Sequence, residues 1–116
     1  MQENEVGGGA YRVWVEEDPV TIHFSGSMRL PMKDYKPVTD LLNATFKRSP
    51  KALVMDFQEL TFLNSSGINM VFRFVITLRR RGDVDLEVRG KKTIQWQTKS
   101  LTSVRKFLPN ARIVLN

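Results

Sequence analysis

ALVMDFQELTFLNSSGINMVFRFVITLRRR, residues 52–81, joins two apolar segments of different period through one short polar turn. From Ala52 to Phe57 the residues are almost continuously apolar, with β-favouring Val54 and Phe57, which suits an interior strand covered on both faces or nearly so. After Asn64 the period changes. Ile68, Val71, Phe72, Val75 and Leu78 recur at spacings of three and four, one face of a helix. Asn69, Arg73, Thr77 and Arg80 fall on its wet face. Met70 and Phe74 extend the apolar arc to one edge and carry two readings, core or an exposed contact patch. The hinge between strand and helix holds Asn64, Ser65, Ser66 and Gly67: three side chains that can cap a helix and one residue that lets backbones approach.

Upstream, Tyr11, Val13 and Val15 alternate with polar or amphipathic residues, and Val20, Ile22 and Phe24 repeat the pattern after Glu17-Asp18-Pro19. Two alternating runs with a short connection predict an antiparallel hairpin, its second strand closed by Gly26-Ser27. Val38, Leu41, Leu42, Thr45 and Phe46 predict a helix over Lys33–Lys47, with Pro37 in its first turns. Downstream, Val84, Leu86 and Val88 form a strand, Thr93–Leu108 is helical at least in its later part, and Ile113–Leu115 closes the chain as a strand. The order is strand, strand, helix, strand, helix, strand, helix, strand. It predicts an α/β single domain: a mixed sheet of about five strands, an opening antiparallel hairpin followed by parallel strands, and about three helices. The domain is expected over 11–116. Residues 1–10, with three consecutive glycines, are expected to be a flexible tail.

Composition narrows the chemistry. The 116 residues suffice for one domain with a core of its own. No cysteine occurs and His23 is the single histidine, so disulfides, thiolate catalysis and cysteine-ligated zinc are excluded and most histidine-based sites go with them. No run is long and apolar enough to span a bilayer, and the polar, acidic N-terminus lacks a signal peptide's features, so a cytoplasmic protein without membrane contact is expected. Residues 1–58 hold 7 Lys/Arg against 8 Asp/Glu, whereas residues 59–116 hold 11 against 4. That bias could serve a solvated face or meet an acidic partner.

A serine at the mouth of a helix reads first as a cap. It could also accept a phosphate, whose roughly −1.5 to −2 charges would be favoured by the free N–H groups and the dipole there. Leu60–Ile68, LTFLNSSGI, set between an apolar strand and an apolar helix, resembles the phosphorylation loop of the STAS domain family, the anti-sigma-factor antagonists, whose usual form is Asp-Ser-Ser-Gly followed by an aliphatic residue. The likeness extends over about Tyr11 to Asn116. It implies a STAS-like sandwich and a non-enzymatic, cofactor-free regulator that switches partners. Its partner would be a serine kinase or anti-sigma factor of GHKL-type fold, and a PP2C-type phosphatase would reset it. Carried onto this chain, the resemblance makes Ser65 the phosphoacceptor, with Ser66 the alternative. The partner face would comprise Ser27, Met28, Arg29, Asn64, Ser65, Ser66, Gly67, Met70 and Phe74. Two features depart from the family pattern: Asn64 stands where the family has an acid, and Ser27-Met28-Arg29 is not acidic. The family's C-terminal helix after the last strand is also missing, which leaves part of the sheet open, with a homodimer as one use for it.

Other classes fit less well. Ser65 as a catalytic nucleophile has no activating base, because His23 lies mid-strand. Asp56 as a phosphoaspartate lacks the neighbouring acids that would hold magnesium. A scaffold that binds without being phosphorylated remains an alternative. So does a nucleic-acid module built on Arg79–Arg81, Lys91, Lys92 and Trp96, although no recognition helix or RNA-binding signature accompanies them.

Overall fold

The computed structural model describes residues 4–116. Six strands form one sheet in the order of the chain: β1 (Glu5–Gly7), β2 (Tyr11–Glu16), β3 (Thr21–Met28), β4 (Ala52–Leu63), β5 (Asp85–Gly90) and β6 (Arg112–Leu115). The first three pair antiparallel and β3 to β6 run parallel. The helices are α1 (Lys36–Lys47), entered through a 3-10 turn at Met32–Tyr35, then α2 (Ser65–Arg81), α3 (Gln95–Ser100) and α4 (Val104–Phe107). A 3-10 turn at Leu101–Ser103 breaks the last helical segment, so the predicted helix over 93–108 is a chain of short pieces.

Strand order and handedness together place the helices. Each crossover from β3 to β6 steps to the next strand in the same direction, and right-handed crossovers taken repeatedly in one direction put every helix on one face. Val13, Val15, Ile22, Phe24, Met55, Phe57, Leu86 and Val88 point to that face and are buried beneath α1 and α2. The residues between them point the other way, where no second layer lies among the described residues. There the paired row Trp14, His23, Asp56, Arg89 and Val114 crosses the sheet. The expectation that Ala52–Phe57 is covered on both faces is thus corrected: Val54 is buried between the flanking residues Thr21 and Glu87 of neighbouring strands, not under a helix.

Two further expectations are revised. Glu5–Gly7, placed in the tail, form an edge strand in which Val6 packs against the core and the Glu5 carboxylate takes two hydrogen bonds from Arg12 at 2.7 and 2.9 Å. Residues 1–3 of that tail lie outside the described residues. Gly26 does not close β3. It adopts φ +91° at an irregularity in mid-strand, where a Cβ would run into the Ala10 carbonyl and stand 2.9 Å from Tyr11 Cα, so only glycine fits the bulge.

Candidate functional site

The exit of β3 and the strand-to-helix hinge at Asn64 meet at the carboxyl ends of the parallel strands, the side on which open α/β sheets bind ligands and partners. Asn64 joins them. As N-cap of α2 it accepts the Gly67 N–H through Oδ1 at 3.0 Å. The same oxygen accepts the Tyr35 hydroxyl at 2.6 Å, and Nδ2 donates to the Leu30 carbonyl at 2.8 Å. Its backbone N–H donates to the Met28 carbonyl at 3.1 Å. One neutral side chain therefore ties the exit of β3, the turn before α1 and the start of α2. The amide chemistry matters, because a carboxylate could accept from Gly67 and Tyr35 but could not donate to Leu30.

Tyr35 is buried under this knot, and that burial pushes its hydroxyl pKa upward, so the phenol stays a donor. Gly67 is buried as well. A Cβ there would collide with Leu63 Cδ1 and stand 2.7 Å from the Tyr35 hydroxyl. Glycine at this position lets α2 seat directly on β4.

Ser65, the first residue of α2, is exposed, and Ser66 beside it is half-buried. Ser27 is half-buried, and Arg29 is exposed, with its guanidinium 4.0 Å from the Phe62 ring centroid and Nε donating to Ser27 Oγ at 3.3 Å. Those residues, with the half-exposed Asn64, form one surface. Met28 and Gly67 do not belong to it as contact residues, and Met70 and Phe74 are core residues that reach the surface only as the floor of the groove between α1 and α2. Met28 is fully buried, and Met70 and Phe74 are 8% and 4% exposed, so the core reading of these two holds and their side chains fill the helix–sheet interface.

Between α1 and α2 runs a groove of about 280 Å³, with Ser66 at one end. Met70, Phe74 and Leu42 give it an apolar floor, Asn69, Arg73 and Thr77 line its rim on α2, and Thr39 and the exposed Asn43 line it on α1. Met32, 52% exposed, stands at its mouth. At the far end of α2, Arg79, Arg80 and Arg81 complement the helix dipole before Gly82 caps the helix at φ +83°.

His23 lies away from this surface, on the bare sheet face. It stacks on Trp14 at 4.9 Å, and its Nε2 is 2.6 Å from Glu16 and its Nδ1 3.7 Å from Asp56. No cluster of three or more potential metal ligands occurs among the described residues.

Two residues with structural roles at this end escaped the sequence. Gln97 is fully buried and donates to the Phe57 and Leu60 carbonyls at 2.5 and 2.9 Å, while its Oε1 accepts the Lys91 N–H at 2.6 Å. Trp96 Nε1 also donates to Leu60 at 2.9 Å. Together they satisfy the stretch of β4 that runs on past its pairing with β5, which ends at Asp56. No local pattern announces such a role; a glutamine on an otherwise apolar helix face is the only trace.

No protein-family model matches the chain, and no curated protein sequence matches it significantly. Among solved structures it is similar to the crystal structure of an anti-sigma factor antagonist from Mycobacterium paratuberculosis, with a TM-score of 0.67 and 19% identity over 89% of this chain and 86% of that one. That likeness is one of fold: the mixed six-stranded sheet with its helices is similar to that structure, and the chain has the STAS fold.

Proposed function

We propose that the chain is a non-enzymatic regulator of the anti-sigma-factor-antagonist type, cytoplasmic, acting by phosphorylation-controlled partner switching. Ser65 is its phosphoacceptor. One observation carries the reading: Ser65 is exposed at the first position of a helix whose start is already fixed by Asn64. A phosphate there can use the dipole and free first-turn N–H groups without displacing the cap or entering the core. The fold survives the modification while the contact surface changes charge. The partner is a serine kinase or anti-sigma factor of GHKL-type fold, and a PP2C-type phosphatase returns the chain to its binding state.

The test is intact-mass analysis of the protein from its host, before and after PP2C treatment, with peptide mapping. One phosphate on Ser65, removed by the phosphatase, is the expected result. Replacing Ser65 with Asp should release the kinase and replacing it with Ala should retain it. A chain that stays unmodified in the presence of the kinase and ATP would overturn the switch and leave a scaffold that only binds.

A further inference from the structure

The charge of the chain is segregated by layer. The helical segments, residues 32–47, 65–81 and 95–107, hold ten Lys or Arg against two Asp, whereas the six strands hold three Arg against six Asp or Glu. Since the helices share one face, that face is strongly basic and the bare sheet face is mildly acidic. Within the helical layer Lys36 is paired with Asp40 at 2.8 Å. Among the described residues no carboxylate lies within ion-pair distance of Arg73 or of Arg80, which continues the same rim of α2.

From this we infer that the α1–α2 groove docks an acidic, amphipathic helical segment of a protein partner. One apolar side chain of that segment would enter over Met70 and Phe74, and its carboxylates would face Arg73 and Arg80. The inference deepens the partner-switching reading and rests on it for the identity of the surface, because Ser66 closes one end of the groove and Ser65 stands next to it. An apolar floor inside a cationic rim suits an amphipathic helix, whose anchors are spaced for such a groove. A nucleic acid would make no use of the floor and would want exposed aromatic platforms. Among the described residues the helical layer has no exposed aromatic side chain: Phe72 of α2 and Phe107 of α4 pack on each other at 5.2 Å, and the half-buried Trp96 of α3 packs edge-on to Phe57 at 5.8 Å with its N–H given to Leu60. A membrane would want an apolar patch, and the exposed large hydrophobic residues among those described are Met32 and, on the opposite face of the sheet, Val114.

The experiment titrates the full, unphosphorylated chain with three fluorescein-labelled probes. They are a peptide with Leu at helical i, i+3 and i+4 spacing and Glu elsewhere, the same peptide with Lys for Glu, and a single-stranded DNA oligonucleotide. Binding is read by anisotropy, and its site by amide shifts in ¹H–¹⁵N spectra. The acidic peptide should bind and shift Thr39, Asn69, Arg73 and Thr77. Its affinity should fall by at least about tenfold between roughly 0.01 and 1 M salt, over which the screening length drops from roughly 30 to roughly 3 Å. Arg73→Glu, which reverses an exposed charge, and Asn43→Trp, which fills the exposed edge of the groove, should each weaken it by about tenfold or more, with thermal unfolding unchanged. No binding, equal binding of the basic peptide, tighter binding of the oligonucleotide, or shifts confined to other surfaces would overturn the inference. The two readings fail separately. Peptide binding that Ser65→Asp leaves untouched removes the switch and keeps the groove, whereas a chain that the kinase modifies on Ser65 but that ignores the peptide when unphosphorylated removes the groove and keeps the switch.

Discussion

Replacing Asn64 with alanine should cost far more than the loss of a helix cap. The cap to the Gly67 N–H is worth about 1 kcal/mol. The same truncation takes the Leu30 carbonyl's bond from Nδ2, and leaves the buried Tyr35 hydroxyl with only the Met28 carbonyl at 3.3 Å. Each of those losses adds about 1 kcal/mol, since a buried group deprived of its partner keeps its desolvation penalty. The sum is about 3 kcal/mol, which for a chain of 116 residues corresponds to a fall in Tm of roughly 10 °C. Urea unfolding followed by tryptophan fluorescence measures it directly. Asn64→Asp separates the contributions: it keeps acceptors for Gly67 and Tyr35 and gains a charge at the helix start worth about 0.3 to 1 kcal/mol, but it cannot donate to Leu30. A loss of about 1 kcal/mol or less for the alanine variant would mean that Asn64 only caps, and the picture of one side chain tying three segments would be wrong.

Gly67→Ala should destabilise by about 1 to 2 kcal/mol in the same assay, because crowding against Leu63 and Tyr35 outweighs the roughly 1 kcal/mol gained from helix propensity; a stabilised variant would refute the close approach. Gln97→Leu keeps the volume but strips the Phe57 carbonyl and the Lys91 N–H of partners, so a loss of about 2 kcal/mol or more is expected, and a neutral result would show water replacing the amide. Burial raises the Tyr35 pKa above its ordinary 10.0, so its contribution is complete below that value and is lost as pH rises through the folded-state pKa. Stability measured across the alkaline range should therefore fall more steeply in the native chain than in Tyr35→Phe, and identical slopes would count against a buried, donating phenol.

What could be read in advance was what repeats. Val13 and Val15, Ile22 and Phe24, Leu86 and Val88 announce strands by alternation, and α2 announces itself by its apolar stripe, because burying one face of a regular element leaves a periodic trace. Asn64 was legible as a cap since capping is local. Its other two bonds were not. Leu30 and Tyr35 lie 34 and 29 residues away, and a single contact between distant segments imposes no pattern on either. The same holds for Gln97, whose bonds to β4 span 40 and 37 residues. Gly26 reads as a stop because it stands at the end of an alternating run, and only the register with β4 shows that the strand continues through a bulge. The short strand β1 leaves no periodic trace, because its stability comes from partners on β2 and from one valine, too little apolar content to stand out beside three glycines.

The open sheet face and the basic helical face have a common origin in strand order. A sheet whose parallel strands add one after another in a single direction cannot place helices on both sides without a left-handed crossover, so its second face stays bare. That bare face must be soluble, and it is kept so by ion pairs within the sheet, such as Glu87 with Arg89 at 2.5 Å and Arg112 at 3.4 Å, whose combined attraction holds the Glu87 carboxyl below its ordinary pKa. Among the described residues the helical face, by contrast, pairs only Lys36 with Asp40 and Arg81 with Asp83. A phosphate on Ser65 would add roughly −1.5 to −2 charges at one end of the α1–α2 groove, facing an acidic segment held there by Arg73 and Arg80. The proposed partner and the proposed modification thus compete for the same positive field, and release on phosphorylation requires no movement of the core.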